Sequence, residues 1–273
     1  MIEENCNRYG HRSEATPKFL ASDNLSNHIN QKRVRTSDII DLMNSVCSCI
    51  IPVYNEANRI QGVLGAFSKV KEIREIICID DGSTDNTHDV IKKNFPRVKL
   101  LRFTTNQGKS AAINKGLKDA RSELIFLADA DIMSVKPEEI RRAINAMDTN
   151  SSIGMIILRR NKTAFGIRLT RADIVFSGER ILRKEDLFKI YKLKPQLYQI
   201  EVAVNEYMMR HKKNVYWISS SAKNVFKTQK FGLAQGVWAE LVMHKSMIKY
   251  IGLTNYIIQR FFFAHKKLPN DIL

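Results

Sequence analysis

Cysteine is scarce in this chain of 273 residues: Cys6, Cys47, Cys49 and Cys78 are the whole set, and their spacing matches no metal site. Cys47 and Cys49, two apart, share a face of any strand, and Cys49 and Cys78 lie in apolar runs. They read as small buried side chains of a reducing compartment, not as a disulfide framework. No apolar run reaches the roughly 18 residues that a bilayer-spanning helix needs. The opening MIEENCNRYGHRSEA holds no apolar run at all, so no secretory signal is read there, and a cytoplasmic protein is expected. Acidic residues are short on one side of the chain. Residues 159–273 carry 22 Lys and Arg against 8 Asp and Glu, whereas residues 1–44 balance and residues 45–158 carry 16 against 14. An anionic partner for the second half is therefore expected, and on charge alone nucleic acid, phosphorylated substrate and acidic lipid all fit, as does a generically basic solvated surface.

What is present is a full complement of core formers, at 44% hydrophobic residues. Residues 1–44 are polar, without sustained periodicity, and read as a disordered tail with a helical turn at DIIDLMN. From Cys47 the pattern alternates. CSCIIPV, EIICID, VKLLRF and ELIFLADAD read as strands. The helices between and after them begin near Asn55, at Ser83 or Thr84 as N-cap, at Ser110, and at Pro137. Four strand–helix repeats with continuously apolar strands predict an α/β fold with a mostly parallel central sheet covered on both faces. Beyond residue 150, GMIILRR and KNVYWIS read as strands, IVFSGERILRKEDLFKI as a loop running into a helix, and QIEVAVNEYMMRH as a helix. From Gln235 to Phe263 apolar residues recur at helical spacing among cations, which suits an amphipathic helix on anionic lipid, a helix packed on the domain, or a homodimer contact. The expected division is a tail at 1–44, a catalytic domain at 45–230 split at residue 150, and an amphipathic segment at 231–273.

Ligands of open α/β sheets bind beyond the carboxyl ends of the strands. The unusual residues cluster there: Pro52, Tyr54, Asn55 and Glu56 after the first strand, Asp80, Asp81, Gly82 and Ser83 after the second. Asn106 to Lys109 follow the third, Asp129 and Asp131 the fourth. Two adjacent carboxylates at a buried strand end need donors, a cation or a ligand. The reading is that Asp80 and Asp81 face a nucleotide, one reading the base and the other fixing the turn. Asp129 and Asp131, two apart, suit a hard cation such as Mn²⁺ or Mg²⁺ held jointly with substrate phosphates. Lys109, before a helix start, reaches toward a phosphate.

With IIPVYNE, DDGSTD, NQGKSAAINKG and DADI in this order over residues 47–147, the chain resembles a family-2-type glycosyltransferase of the GT-A fold. The resemblance implies a UDP- or GDP-sugar donor, with Pro52, Tyr54, Glu56 and Asp81 near the nucleoside, Lys109 near base or phosphates, and Asp129 and Asp131 at ribose and metal. SGERILRKEDL and YQIEVAVNEYM resemble acceptor-side segments of a subgroup that includes polyprenyl-phosphate sugar synthases and glucosyl-3-phosphoglycerate synthase-like enzymes. This makes Ser177, Gly178, Arg180 and Glu201 the acceptor-side candidates, Glu201 as base and Arg180 toward a phosphorylated or polyprenyl-phosphate acceptor. Two departures stand out: Met133 where some relatives have Gln, and Asn224 where others have a metal-binding His. A nucleotide-sugar-binding protein without turnover and a nucleotidyltransferase are the competing classes, and a nucleic-acid partner is not expected.

Overall fold

The computed structural model describes residues 46–161, 168–223 and 233–269. The sequence reading of the tail, the boundary at 230/231 and Asn224 fall outside them. All the described residues belong to one compact unit.

The first half follows the predicted alternation. Strand β1 (Cys47–Val53), helix α1 (Ile60–Phe67), β2 (Ile73–Asp80), α2 (Thr87–Asn94), β3 (Lys99–Arg102), α3 (Lys109–Asp119), β4 (Leu124–Leu127) and α4 (Pro137–Thr149) succeed one another. Strands β1, β2, β3 and β4 pair in parallel, with Val53 opposite Asp80 and Asp80 opposite Arg102. This register lines up the carboxyl ends of β1, β2 and β3 on one rim. Successive strand residues point to opposite faces. Cys49, Ile51 and Cys78 pack against Ile60, Phe67 and Met147 on one side. Ile50, Ile77 and Ile79 pack against Ile113, Leu117 and Val204 on the other. Each such side chain taken from water contributes about 1.5–3 kcal/mol.

The second half comprises β5 (Ile153–Arg160), α5 (Ala172–Val175), β6 (Arg180–Arg183), α6 (Lys184–Tyr191), α7 (Ile200–Arg210), β7 (Asn214–Ser220), α8 (Leu233–Ile251), α9 (Leu253–Phe262) and the two-residue β8 (Lys266–Lys267). Among the described residues the sheet order is β3-β2-β1-β4-β6-β5-β7-β8. Strand β6 runs antiparallel between β4 and β5.

Three sequence expectations change here. Residues 180–183, read as loop, form β6, because ERILRK is too short for periodicity to separate a strand from a loop. Helix α2 starts at Thr87, not after Ser83 or Thr84. Asp85 Oδ1 accepts from the Thr87 N–H and hydroxyl, so the residues before Thr87 form a turn held by side chains. The long C-terminal apolar segment is two helices, parted at Gly252 with φ +80, a conformation that suits glycine.

Candidate active site

Asp80 and Asp81 escape mutual repulsion by diverging. The Asp80 side chain is fully buried: Oδ1 accepts the Ser83 N–H at 2.8 Å, while Oδ2 lies 3.2 Å from Arg102 Nε and 3.3 Å from His88 Nδ1. It therefore takes the turn-fixing part of the pair's expected division of labour, and its burial leaves it no face toward a ligand. Asp81 points the other way, and its two oxygens accept the N–H groups of Gln107 at 2.7 Å and Gly108 at 2.9 Å. Burial raises the Asp81 pKa, those two donors pull it back down, and Asp80 adds to the rise. Gly82, which follows the pair, has φ +75, and a Cβ there would lie 2.7 Å from the Thr105 carbonyl carbon. The turn needs glycine twice over.

The loop after β1 is tied to the same turn. Asn55, itself at φ +54, donates its N–H to Ser83 Oγ and accepts the Thr84 N–H at 2.9 Å. Glu56 is buried, its N–H bonded to Thr87 Oγ1 and its carboxylate 2.9 Å from Arg59. Tyr54 leaves its ring 44% exposed. Pro52 lies within β1, level with Ile79. Tyr54 and Asp81 thus share this end of the rim, and the Glu56 N–H ties the loop after β1 to Thr87 at the start of α2.

At the other end, Lys109 is the centre of a charge cluster. Its Nζ lies 2.5 Å from Asp129 Oδ1 and 2.6 Å from Glu201 Oε1. Arg160, at the carboxyl end of β5, sits 3.9 Å from Asp129 Oδ2 and 2.8 Å from Glu179 Oε2. Burial alone would raise the pKa of Asp129, but Lys109, Arg160 and Arg180 hold it below the usual carboxylate range. Lys109 is opposed by burial yet pushed above the usual lysine range by Asp129 and Glu201. Both are charged at neutral pH. Glu201 Oε2 is buried with no hydrogen-bond partner, so one oxygen of that carboxylate still has capacity.

Gly178 is the contact on which the cluster closes. A Cβ at Gly178 would overlap the Asp129 carboxylate, so only glycine lets the segment before β6 pass so near. Its neighbours are braces. The hydroxyl of the fully buried Ser177 lies within donating distance of Leu158 O and Glu179 Oε2, and its carbonyl accepts from Arg180 Nε and Nη2. Arg180 is 1% exposed and also donates to Glu201 O and to Asn205 Oδ1. The sequence reading placed Arg180 against the acceptor; the structure buries it beneath the site, where it orients the chain around Glu201. Arg160 and Glu179 take the position beside Asp129. Both were missed, although Arg160 obeys the strand-end rule that found the others. Its strand lay in the half whose order the sequence did not yield.

The donor set for a metal is thin on the protein side. Among the described residues no group of three or more His, Cys, Asp or Glu side chains could hold one, and Asp129 is engaged by Lys109 and Arg160. Asp131, half-buried on the same turn, is the second carboxylate of the pair. The other departure, Met133, forms a backbone bridge with Lys223. Asp129 and Asp131 do not by themselves make an all-protein cage for a divalent ion.

Comparison with known proteins gives a consistent picture. The family model "Glycosyl transferase family 2" matches residues 48–216. The chain is 31% identical to the dolichyl-phosphate beta-glucosyltransferase of Saccharomyces cerevisiae over 150 residues, 50% of this chain and 45% of that protein. It is 30% identical over 133 residues to the undecaprenyl-phosphate 4-deoxy-4-formamido-L-arabinose transferase of Edwardsiella ictaluri, 45% of this chain and 41% of that one. The chain thus spans less than half the length of these curated relatives. A crystal structure of glucosyl-3-phosphoglycerate synthase from Mycobacterium tuberculosis with Mn²⁺ and UDP-glucose superposes at a TM-score of 0.60, with 15% identity, over 78% of this chain and 81% of that one. At that identity the likeness concerns the fold, which is GT-A.

Proposed function

The chain belongs to glycosyl transferase family 2, and on that footing we propose that it moves a hexosyl group from a UDP-sugar to a phosphorylated acceptor. The observation that carries this is the cation pair Lys109 and Arg160 converging on Asp129 at the rim, with one oxygen of Glu201 unspent beside them. The uridine preference is supported by the UDP-glucose complex of the structural neighbour, and the phosphate acceptor by the names of the yeast and bacterial relatives.

In this reading the base stacks against Tyr54, and Asp81, whose oxygens each retain a lone pair, accepts the base N–H. Lys109 and Arg160 face the diphosphate, where negative charge develops as the bond from sugar C1 to the β-phosphate oxygen breaks. A divalent ion on Asp131 and the phosphate oxygens would supply further charge neutralisation there. The acceptor oxygen forms the new bond to C1, and the nucleoside diphosphate leaves. A phosphate acceptor with its second pKa near ~6 is already an anion and needs no base. Glu201 then positions the sugar or acceptor by accepting an O–H. Its ion pair with Lys109, at 2.6 Å, fixes the orientation of the carboxylate for that role.

The test is direct: UDP-glucose incubated with the protein, Mn²⁺ and a panel of phosphorylated acceptors, read as UDP release and glycosylated product. Binding of UDP without any turnover across the panel would leave the binding-protein reading standing in its place.

A further inference from the structure

The last two helices show more apolar side chain than their own packing uses. On α8, Trp238 is 69% and Leu241 58% exposed, with Val237 and Val242 beside them at helical spacing. Lys245 and Lys249 continue that stripe one and two turns on. On α9, Leu253, Ile257 and Phe261 recur every four residues, and Phe262 is 71% exposed. The inward side of α9 is, by contrast, held by polar contacts. Gln259 is fully buried, donates to Val202 O and accepts from Asn205 Nδ2, and Asn205 in turn accepts from Arg180. Arg171 donates to the carbonyls of Phe261, Phe263 and Ala264, so the two exposed phenylalanines stand on fixed backbone. An amphipathic helix normally turns its apolar stripe to the core; here that stripe faces out.

Charge says what covers it. Residues 233–269 hold Lys245, Lys249, Arg260, Lys266 and Lys267 against Glu240 alone. A second copy of this segment would set one net-positive surface against another, and that repels. A surface of anionic phospholipid neutralises the cations and takes up the aromatics. No described helix is long and apolar enough to cross a membrane. We propose that α8 and α9 dock this protein on an anionic bilayer, with the Gln259–Asn205–Arg180 chain holding the docked helices in fixed relation to Glu201.

The experiment is cosedimentation of the full chain with phosphatidylcholine vesicles, with and without phosphatidylglycerol. The chain is expected to partition onto the anionic vesicles and to weaken as salt rises. F261S/F262S, which leaves the clamped carbonyls in place, should lower partitioning roughly tenfold. K266E/K267E should erase the preference for phosphatidylglycerol. Equal partitioning of the wild type and both variants overturns the proposal. So does a dimer in sedimentation velocity that F261S/F262S dissolves while vesicle binding is absent. A UDP-induced thermal shift, measured in every variant, keeps the nucleotide reading separate. Its absence in the wild type defeats that reading and leaves vesicle binding untouched, and its retention in the variants shows that they fold.

Discussion

Lys109 neutralises two carboxylates at once, and its removal would strand Asp129, 20% exposed, and Glu201, 7% exposed. Lys109→Met is expected to cost about 3–5 kcal/mol in urea unfolding, the penalty for breaking a buried pair from one side. It should also abolish transfer. The pH dependence carries the same signature. Asp129 is held below the ordinary carboxylate value, so its contribution is complete above that value and is lost as pH falls through the depressed one. Lys109 contributes below the ordinary lysine value and loses it only as pH climbs through its raised pKa. The wild type should therefore lose stability faster than Lys109→Met on acidification below about pH 4, as read by unfolding midpoints across a pH series. Asp131→Ala should remove Mn²⁺-dependent turnover while leaving metal-free UDP affinity within about twofold by calorimetry; full loss of UDP affinity would instead place that aspartate on the nucleotide. These side chains were legible early because aspartates at the end of an apolar strand have few bland explanations. Arg180 misled for the opposite reason: an arginine in a polar segment carries no mark of burial until Ser177, Glu201 and Asn205 are seen around it.

Helix α3 carries Lys109 at its first position, and its depth on the sheet is set by Gly116. A Cβ at Gly116 would lie 2.7 Å from both Ile50 Cγ2 and Ile79 Cδ1, so the helix rests directly on β1 and β2. Gly116→Ala forces the helix outward and should cost about 1–3 kcal/mol. It should also raise the donor KM by displacing Lys109 from Asp129, whereas Ala at the solvent-facing Gly62 of α1, where nothing lies within 4 Å, should do neither. Steady-state kinetics on the two variants separates a registry effect from general loosening. Helices like α3 were readable from spacing alone, because the 3.6-residue rhythm runs for three turns. Strand β6 was not, since four residues leave no room for a period to declare itself and its antiparallel partners lie far away in sequence.

Across the whole molecule the excess positive charge belongs to the second half, and a phosphorylated acceptor should sense it. Raising sodium chloride from about 50 to 500 mM shortens the screening length severalfold. The acceptor KM is expected to rise steeply over that range while the donor KM shifts by less than about threefold, because the buried Lys109 is little screened. A flat acceptor profile would assign the charge to a surface other than the acceptor's. The position of β6 has one more consequence. The sequence suggests a nucleotide-sugar half ending near residue 150 and an acceptor half beginning there. Yet β6 comes back to fill the slot between β4 and β5, delivering Gly178 against Asp129 on the way. A protein cut at residue 150 would keep its aspartates, lose the strand beside them, and expose a bare row of backbone donors and acceptors along Leu124–Leu127. Residues 46–150 are therefore no transplantable cassette, and a chimera joined near residue 150 would have to carry β6 across with them.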